Sequence, residues 1–198
     1  CLNLGGIANI SFNDTNGKRV AFDIAPCNQV LNHLARQAGL PYDEDGALAS
    51  KSDHDQGLLE ALEAIPFYQQ TGPRSLDRSD IEQTWLPLID EHSATVPQKL
   101  ATFHVHLARQ IAESLAPASP DPDSYMLITG GGAFNHDLVQ QIQWHFPGKV
   151  IVPDTQLVEF KEAVIFAFMG WLRWQNRINC LSSVTGARRD HVSGSLYG

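Results

Sequence analysis

Two glycine-rich segments constrain this chain most: Asn3-Leu4-Gly5-Gly6-Ile7-Ala8-Asn9 at its start and Gly130-Gly131-Gly132-Ala133-Phe134-Asn135 far downstream. Each follows a short apolar run, and the second also opens a segment that reads as a helix. Glycine lacks a Cβ, so backbone N–H groups can approach a ligand closely at such turns. A turn leading into a helix N-terminus also favours negative charge. Two such turns in one domain imply a nucleotide held between them, phosphates near one and base or ribose near the other. An ordinary tight turn explains either segment taken alone. Neither is a P-loop: no Gly-Lys-Ser/Thr follows, and no Gly-x-Gly-x-x-Gly occurs.

The pattern around these turns predicts an α/β fold. Residues Cys1 to Leu4, Ile7 to Phe12 and Arg19 to Asp23 read as three strands, with Asn16-Gly17 as a hairpin signal between the last two. Helices are expected over Cys27–Ala38, Gly57–Ile65, Asp80–Asp90, Gln98–Leu115, Phe134–Phe146 and Val158–Trp174. Strands are expected over Tyr125–Thr129 and Lys149–Val152, and a turn-rich loop over Pro66–Arg78. A meander followed by strand–helix units gives a mixed sheet with helices on its faces. The helix over Gln98–Leu115 carries one apolar stripe, Leu100, Phe103, Leu107, Ile111 and Leu115. The helix over Val158–Trp174 is apolar nearly all round, which predicts burial between layers.

With 198 residues the chain can form one large domain with a real core. A net charge of -8 excludes a general nucleic-acid binder, which needs a basic patch to neutralise phosphates. The longest uncharged apolar run, Ala163 to Leu172, is too short to span a bilayer. Three cysteines without a Cys-x-x-Cys, and no signal peptide, fit a reducing cytoplasm. The chain starts with Cys1 inside a strand-like pattern, as a piece of a longer protein would.

Asp23 closes the third strand on this reading, and ligands of such sheets sit at the carboxyl ends of strands. Its carboxylate either takes a proton from a nucleophile or caps the following helix. Glu162 is either a solvated first-turn residue matched to the helix dipole or a carboxylate facing substrate. Asp43-Glu44-Asp45-Gly46 resembles the start of a calcium loop but lacks its later ligands, and reads as a turn that could touch a ligand. His104 and His106 sit two apart on a helix and point to different faces, so they read as structural, and no metal site is expected. Cys27 is either a thiol activated at a helix N-terminus or a small residue filling a tight spot. Arg74, in Pro73-Arg74-Ser75, could hold a phosphate or a carboxylate.

Taken together and in order, these segments resemble the C-terminal half of the anhydro-N-acetylmuramic acid kinase family. Asn3 to Asn9 is similar to the family's second phosphate motif, and Phe22-Asp23-Ile24-Ala25-Pro26-Cys27-Asn28 to its Phe-Asp-x-Gly-Pro-Gly-Asn segment. Gly130-Gly131-Gly132-Ala133-x-Asn135 is similar to its adenosine motif, and Lys161-Glu162-Ala163 and Ser183 to Ala187 to its last two signatures. The resemblance implies an actin-like, ribonuclease H-like half-domain, with the first phosphate loop in an N-terminal half that this chain lacks. It implies ATP and magnesium as cofactors, an amino-sugar substrate, and opening of a 1,6-anhydro ring with phosphorylation of the 6-hydroxyl. By the same resemblance Asp23 is the base that activates water, and Glu162, Asn28 and Arg74 face the sugar. Gly5, Gly6 and Asn9 then lie near the phosphates, and Gly130, Gly131, Gly132 and Asn135 near the adenosine.

Ala25 and Cys27 stand where the family has glycines, which matters if a positive φ is needed there. Asp77 stands where the family tends to have glycine, and Arg74 where it has lysine. An actin-like kinase of another sugar, a nucleotide-binding module without catalysis, and a homodimer remain open on these residues.

Overall fold

The computed structural model describes residues 1–70 and 73–197, so part of the loop expected over Pro66–Arg78 lies outside the described residues. The chain opens with β1 (Leu2–Leu4), β2 (Ile7–Asn13) and β3 (Arg19–Pro26), followed by α1 (Asn28–Gln37) and α2 (Gln56–Glu63). Next come α3 (Arg78–Asp80), a wide turn over Ile81–Trp85, α4 (Leu86–Glu91) and the long α5 (Val96–Ser114). The remainder is β4 (Tyr125–Thr129), α6 (His136–His145), β5 (Lys149–Ile151), α7 (Thr155–Trp174) and α8 (Ser182–Thr185).

The five strands form one sheet in the order β3-β2-β1-β4-β5. The first three strands are antiparallel neighbours, while β1–β4 and β4–β5 are parallel. This is the mixed α/β sheet with an antiparallel meander expected of an actin-like half-domain. The hairpin between β2 and β3 turns on Gly17 at φ 76°, and Asp14 Oδ1 accepts the backbone N–H groups of Asn16 and Lys18.

Strand alternation divides the sheet into two unlike faces. Leu2 and Leu4 of β1 and Ala8, Ile10 and Phe12 of β2 are buried on one face. They join Val30, Leu31 and Leu34 of α1, Leu100, Phe103 and Leu107 of α5, and Leu138 and Ile142 of α6 in one apolar core. The opposite face carries the alternate residues, among them Asn3 and Asn9, and meets α7 near its start through Lys161.

The two long helices reverse their expected places. α5 is buried nearly all round, including Lys99, Thr102, His104, His106 and Gln110. Most of its polar groups find partners, although His106 Nδ1 and Ser114 Oγ meet none: Thr102 Oγ1 accepts the Asp55 N–H at 2.8 Å and donates to the Gln98 carbonyl at 2.6 Å. Lys99 Nζ donates to the Asp90 carbonyl at 3.3 Å. In α7, by contrast, only Val158 is buried, whereas Phe166 is 69% and Trp174 72% exposed. The expected burial of α7 between layers is therefore not what the fold provides. Among the described residues no layer covers its large apolar side chains, and apolarity cannot bury a face that nothing covers.

Candidate functional site

Register brings four polar residues into a row across the second face. Asp23 of β3 pairs with Asn9 of β2, Asn9 with Asn3 of β1, and Asn3 with Thr129 of β4. Residues directly opposite one another in neighbouring strands share a face, so Asp23, Asn9, Asn3 and Thr129 form one polar strip. A bulge between Ala8 and Asn9 adjusts the pairing there. Asp23 thus lies inside β3 rather than at its end, because the strand runs on to Pro26. Its carboxylate accepts the Leu76 N–H at 3.0 Å and the Ser75 hydroxyl at 3.5 Å.

Both glycine turns adjoin this strip. Gly130 has φ 85°, and a Cβ there would lie 2.7 Å from the Leu4 carbonyl oxygen and 2.9 Å from Asn3 Oδ1. A side chain at Gly130 would therefore be strained and obstructed at once. A Cβ on Gly132 would meet Leu4 Cβ at 2.7 Å, so the second turn lies directly on the end of β1. Asn28 joins the two turns: its Nδ2 donates to the Leu4 carbonyl at 3.1 Å, and its own N–H donates to the Gly5 carbonyl at 3.1 Å. The N–H groups of Cys27 and Gln29 donate to the Gly6 carbonyl. The first turn therefore caps α1 with its own carbonyls, and Asn28, expected to face sugar, stands between the turns.

A cavity of about 880 Å³ opens beside this junction, lined among others by Asn28, Tyr42, Asp45, Gly131, Phe134 and Asn135. Its size suits a nucleoside-sized ligand. The partly exposed rings of Tyr42 and Phe134 give it apolar walls. Asn135 caps α6 through Oδ1, which accepts the Leu138 N–H at 3.0 Å, while its Nδ2 lies 3.3 Å from His104 Nε2. His104 Nδ1 in turn meets Asp137 Oδ2 at 2.7 Å, whereas His106 Nε2 meets the Tyr68 hydroxyl at 2.8 Å. The two histidines thus serve separate structural contacts. The acidic loop is fixed in the same way: buried Asp43 accepts the N–H groups of Leu48 and Ala49, and Asp45 pairs with His136. It forms one wall of the cavity.

Arg74 does not point freely into solvent. Its guanidinium donates to the carbonyls of Asp23 (3.3 Å), Tyr68 (3.5 Å) and Ile24 (3.5 Å) and lies 4.9 Å from the Phe67 ring centre. Burial lowers its pKa, partly offset by Tyr68 and Glu113. Cys27 is fully buried, and that burial pushes its thiol up to about 12, so it is a filler and not an activated nucleophile. Neither position takes a positive φ: Ala25 lies in β3 and Cys27 has φ -134°. Asp77 caps α3 by accepting the Asp80 N–H, and Asp80 returns the bond to the Asp77 N–H.

Glu162 is exposed and, because α7 begins at Thr155, lies two turns inside the helix rather than in its first turn. Its neighbour Lys161 reaches the polar strip, bonding Asn3 Oδ1 and Thr129 Oγ1. Lys161, Asn3 and Tyr42 were not singled out from the sequence. The only signals for the first two were their places inside motif segments. No group of three or more His, Cys, Asp or Glu side chains is placed to share a metal among the described residues. Nor is any described helix long and apolar enough to cross a membrane.

A structure from Clostridium difficile, an activator of 2-hydroxyisocaproyl-CoA dehydratase with bound ADPNP, superposes with a TM-score of 0.53 at 18% identity. The match covers 88% of this chain and 61% of that one, and establishes a shared fold. Anhydro-N-acetylmuramic acid kinase of Saccharophagus degradans is 32% identical over 98% of this chain and 54% of its own length. The kinase of the same name from Chromobacterium violaceum is 33% identical over 99% of this chain and 55% of its own length. The chain thus spans about half the length of the curated relatives it matches. The family model for anhydro-N-acetylmuramic acid kinase matches residues 1–198, from the first glycine turn through the final segment, and the chain belongs to that family.

Proposed function

We propose that this chain is the C-terminal half of a cytoplasmic kinase that uses ATP to convert 1,6-anhydro-N-acetylmuramic acid to N-acetylmuramic acid 6-phosphate. The observation that carries the reading is the polar strip: Asp23 shares one sheet face with residues that abut both glycine turns. A carboxylate and a nucleotide site on one floor is what concerted ring opening and phosphoryl transfer needs. Family membership and the ADPNP held by the structural neighbour support the nucleotide.

On this reading Asp23 takes a proton from water as the water oxygen bonds the anomeric carbon. The anhydro C–O bond breaks, and the freed 6-oxygen takes the terminal phosphoryl group, with ADP leaving. The bonds from Leu76 and Ser75 orient the Asp23 carboxylate. The cavity beside Gly131 and Phe134 receives the adenosine, and the turns at Gly5-Gly6 and Gly130 approach the phosphates. Glu162 contributes from α7 on the sugar side. Magnesium would enter with the nucleotide and would neutralise the charge that develops on its phosphates. Arg74 supports the Asp23 strand through the backbone rather than by holding sugar. The first phosphate loop would come from residues outside this chain.

Coupled ATP turnover on the full-length protein, with the anhydro sugar and with Asp23→Asn, tests the assignment. Sugar-dependent turnover that falls about 10²- to 10⁴-fold in the variant is expected for a lost general base. Full turnover in the variant moves the base elsewhere, and no sugar-dependent turnover in the wild type sinks the substrate. A homodimer belongs to the same reading: Phe160, Val164 and Phe168 follow one another along exposed α7 at helical spacing. Light scattering at the monomer mass would remove it.

A further inference from the structure

The Lys161 ammonium occupies a place that the glycine motifs alone do not explain. It bonds Asn3 Oδ1 and, at 2.9 Å, Thr129 Oγ1, so it joins the carboxyl ends of β1 and β4. Asn3 stands between the two turns. A Cβ on Gly5 would lie 3.1 Å from Asn3 Nδ2, and one on Gly130 would lie 2.9 Å from Asn3 Oδ1. The ammonium is thus one side chain removed from both turns at once.

Its charge is uncompensated by contact. An ammonium has three donors, and the two acceptors it meets here are neutral. Among the described residues no carboxylate lies within ion-pair distance of it. Burial lowers its pKa, and only the exposed neighbour Glu162 works in the opposite sense. A partly desolvated cation with neutral partners favours an anion on its open side. The backbone turns beside it favour the same sign of ligand.

We propose that Lys161 is a phosphate-binding residue: held by Asn3 and Thr129 behind both glycine turns, its ammonium contacts the polyphosphate of the bound nucleotide. The proposal rests on the nucleotide reading above and adds the residue that recognises charge. It also assigns Asn3 a positioning part, since one amide fixes the ammonium and spaces the turns.

Calorimetric titration of the full-length protein with ADPNP and, separately, with adenosine tests it. The variants are Lys161→Met, Lys161→Gln and Lys161→Arg. Gln keeps a neutral donor and Arg keeps the charge. Met and Gln are expected to bind ADPNP at least about tenfold more weakly, with adenosine binding and Tm unchanged, and Arg to recover most of the loss. Steady-state kinetics should show the same loss as a raised KM for ATP with the sugar KM unmoved. ADPNP binding by Lys161→Gln equal to wild type overturns the proposal, because the charge is then dispensable. Equal losses for adenosine and ADPNP also overturn it, because Lys161 then only fastens α7. A wild type that binds neither ligand overturns the nucleotide reading and this proposal together.

Discussion

α5 and α7 are the two long helices of this chain, and their environments are opposite to their compositions. α5 carries two histidines, a lysine, a threonine and a glutamine at buried positions, yet it is the centre of the fold. α7 carries Phe160, Phe166, Phe168, Trp171 and Trp174 and leaves all five exposed. The difference shows that a helix is buried by what surrounds it. Polar side chains enter a core when partners satisfy them, as Asp137 and Asn135 meet both ring nitrogens of His104, while Tyr68 meets one nitrogen of His106. Apolar side chains stay in water when no layer is available to receive them.

The largest way to break this contrast is Phe103→Ala. Phe103 is fully buried, and the cavity left behind should cost about 3–5 kcal/mol in chemical denaturation. A loss below about 1 kcal/mol would mean that α5 is not the centre of the core. Next comes His104→Leu, which keeps bulk but strands Asn135 and Asp137. Leaving those groups unpaired should cost about 1–3 kcal/mol, and a neutral result would show that solvent pairs them instead.

Acid should find the same helix. Burial, with a smaller contribution from Arg109, pushes the His106 pKa down from 6.5 to about 3. As pH falls below about 6.5, the unfolded chain takes up a proton that the folded chain refuses. The stability contribution is therefore whole above that pH and is lost toward pH 3, by up to about 1.4 kcal/mol per pH unit. Urea melts at a series of pH values should show this slope, and His106→Gln should flatten it. An unchanged slope in the variant would place the acid sensitivity in other groups.

The smallest effect sharpens the contrast from the other side. Phe166→Ser on α7 should change the stability of this chain by no more than about 0.5 kcal/mol, as for other exposed positions. The same substitution in the full-length protein measures what covers the helix there. A cost of about 2 kcal/mol or more in that context would show that α7 is buried in the complete assembly.

Local patterns carried most of the fold. Strand β4 is found over Tyr125–Thr129 as expected, and α5 begins two residues before its expected start, at a Thr95 cap. The glycine turns were legible because a triple glycine signals a backbone that a side chain would obstruct, and Gly130 is such a place. Asp23 and the polar character of Asn3 and Asn9 were legible one at a time. Their common strip was not, because it depends on which strand lies beside which and in what register. Lys161 was overlooked beside Glu162 for the same reason. Its partners lie 158 and 32 residues away in the chain.

The sequence by itself determined the meander, the two turns, the main helices and the family, because these follow from neighbours within a few residues and from ordered motifs. Tertiary structure alone decided that the polar helix is central and the apolar one exposed. It also placed Asn28 and Arg74 in structural contacts and put Asp23 and Lys161 on one sheet face. Burial and cross-strand pairing are properties of distant segments brought together, and no window of local sequence contains them.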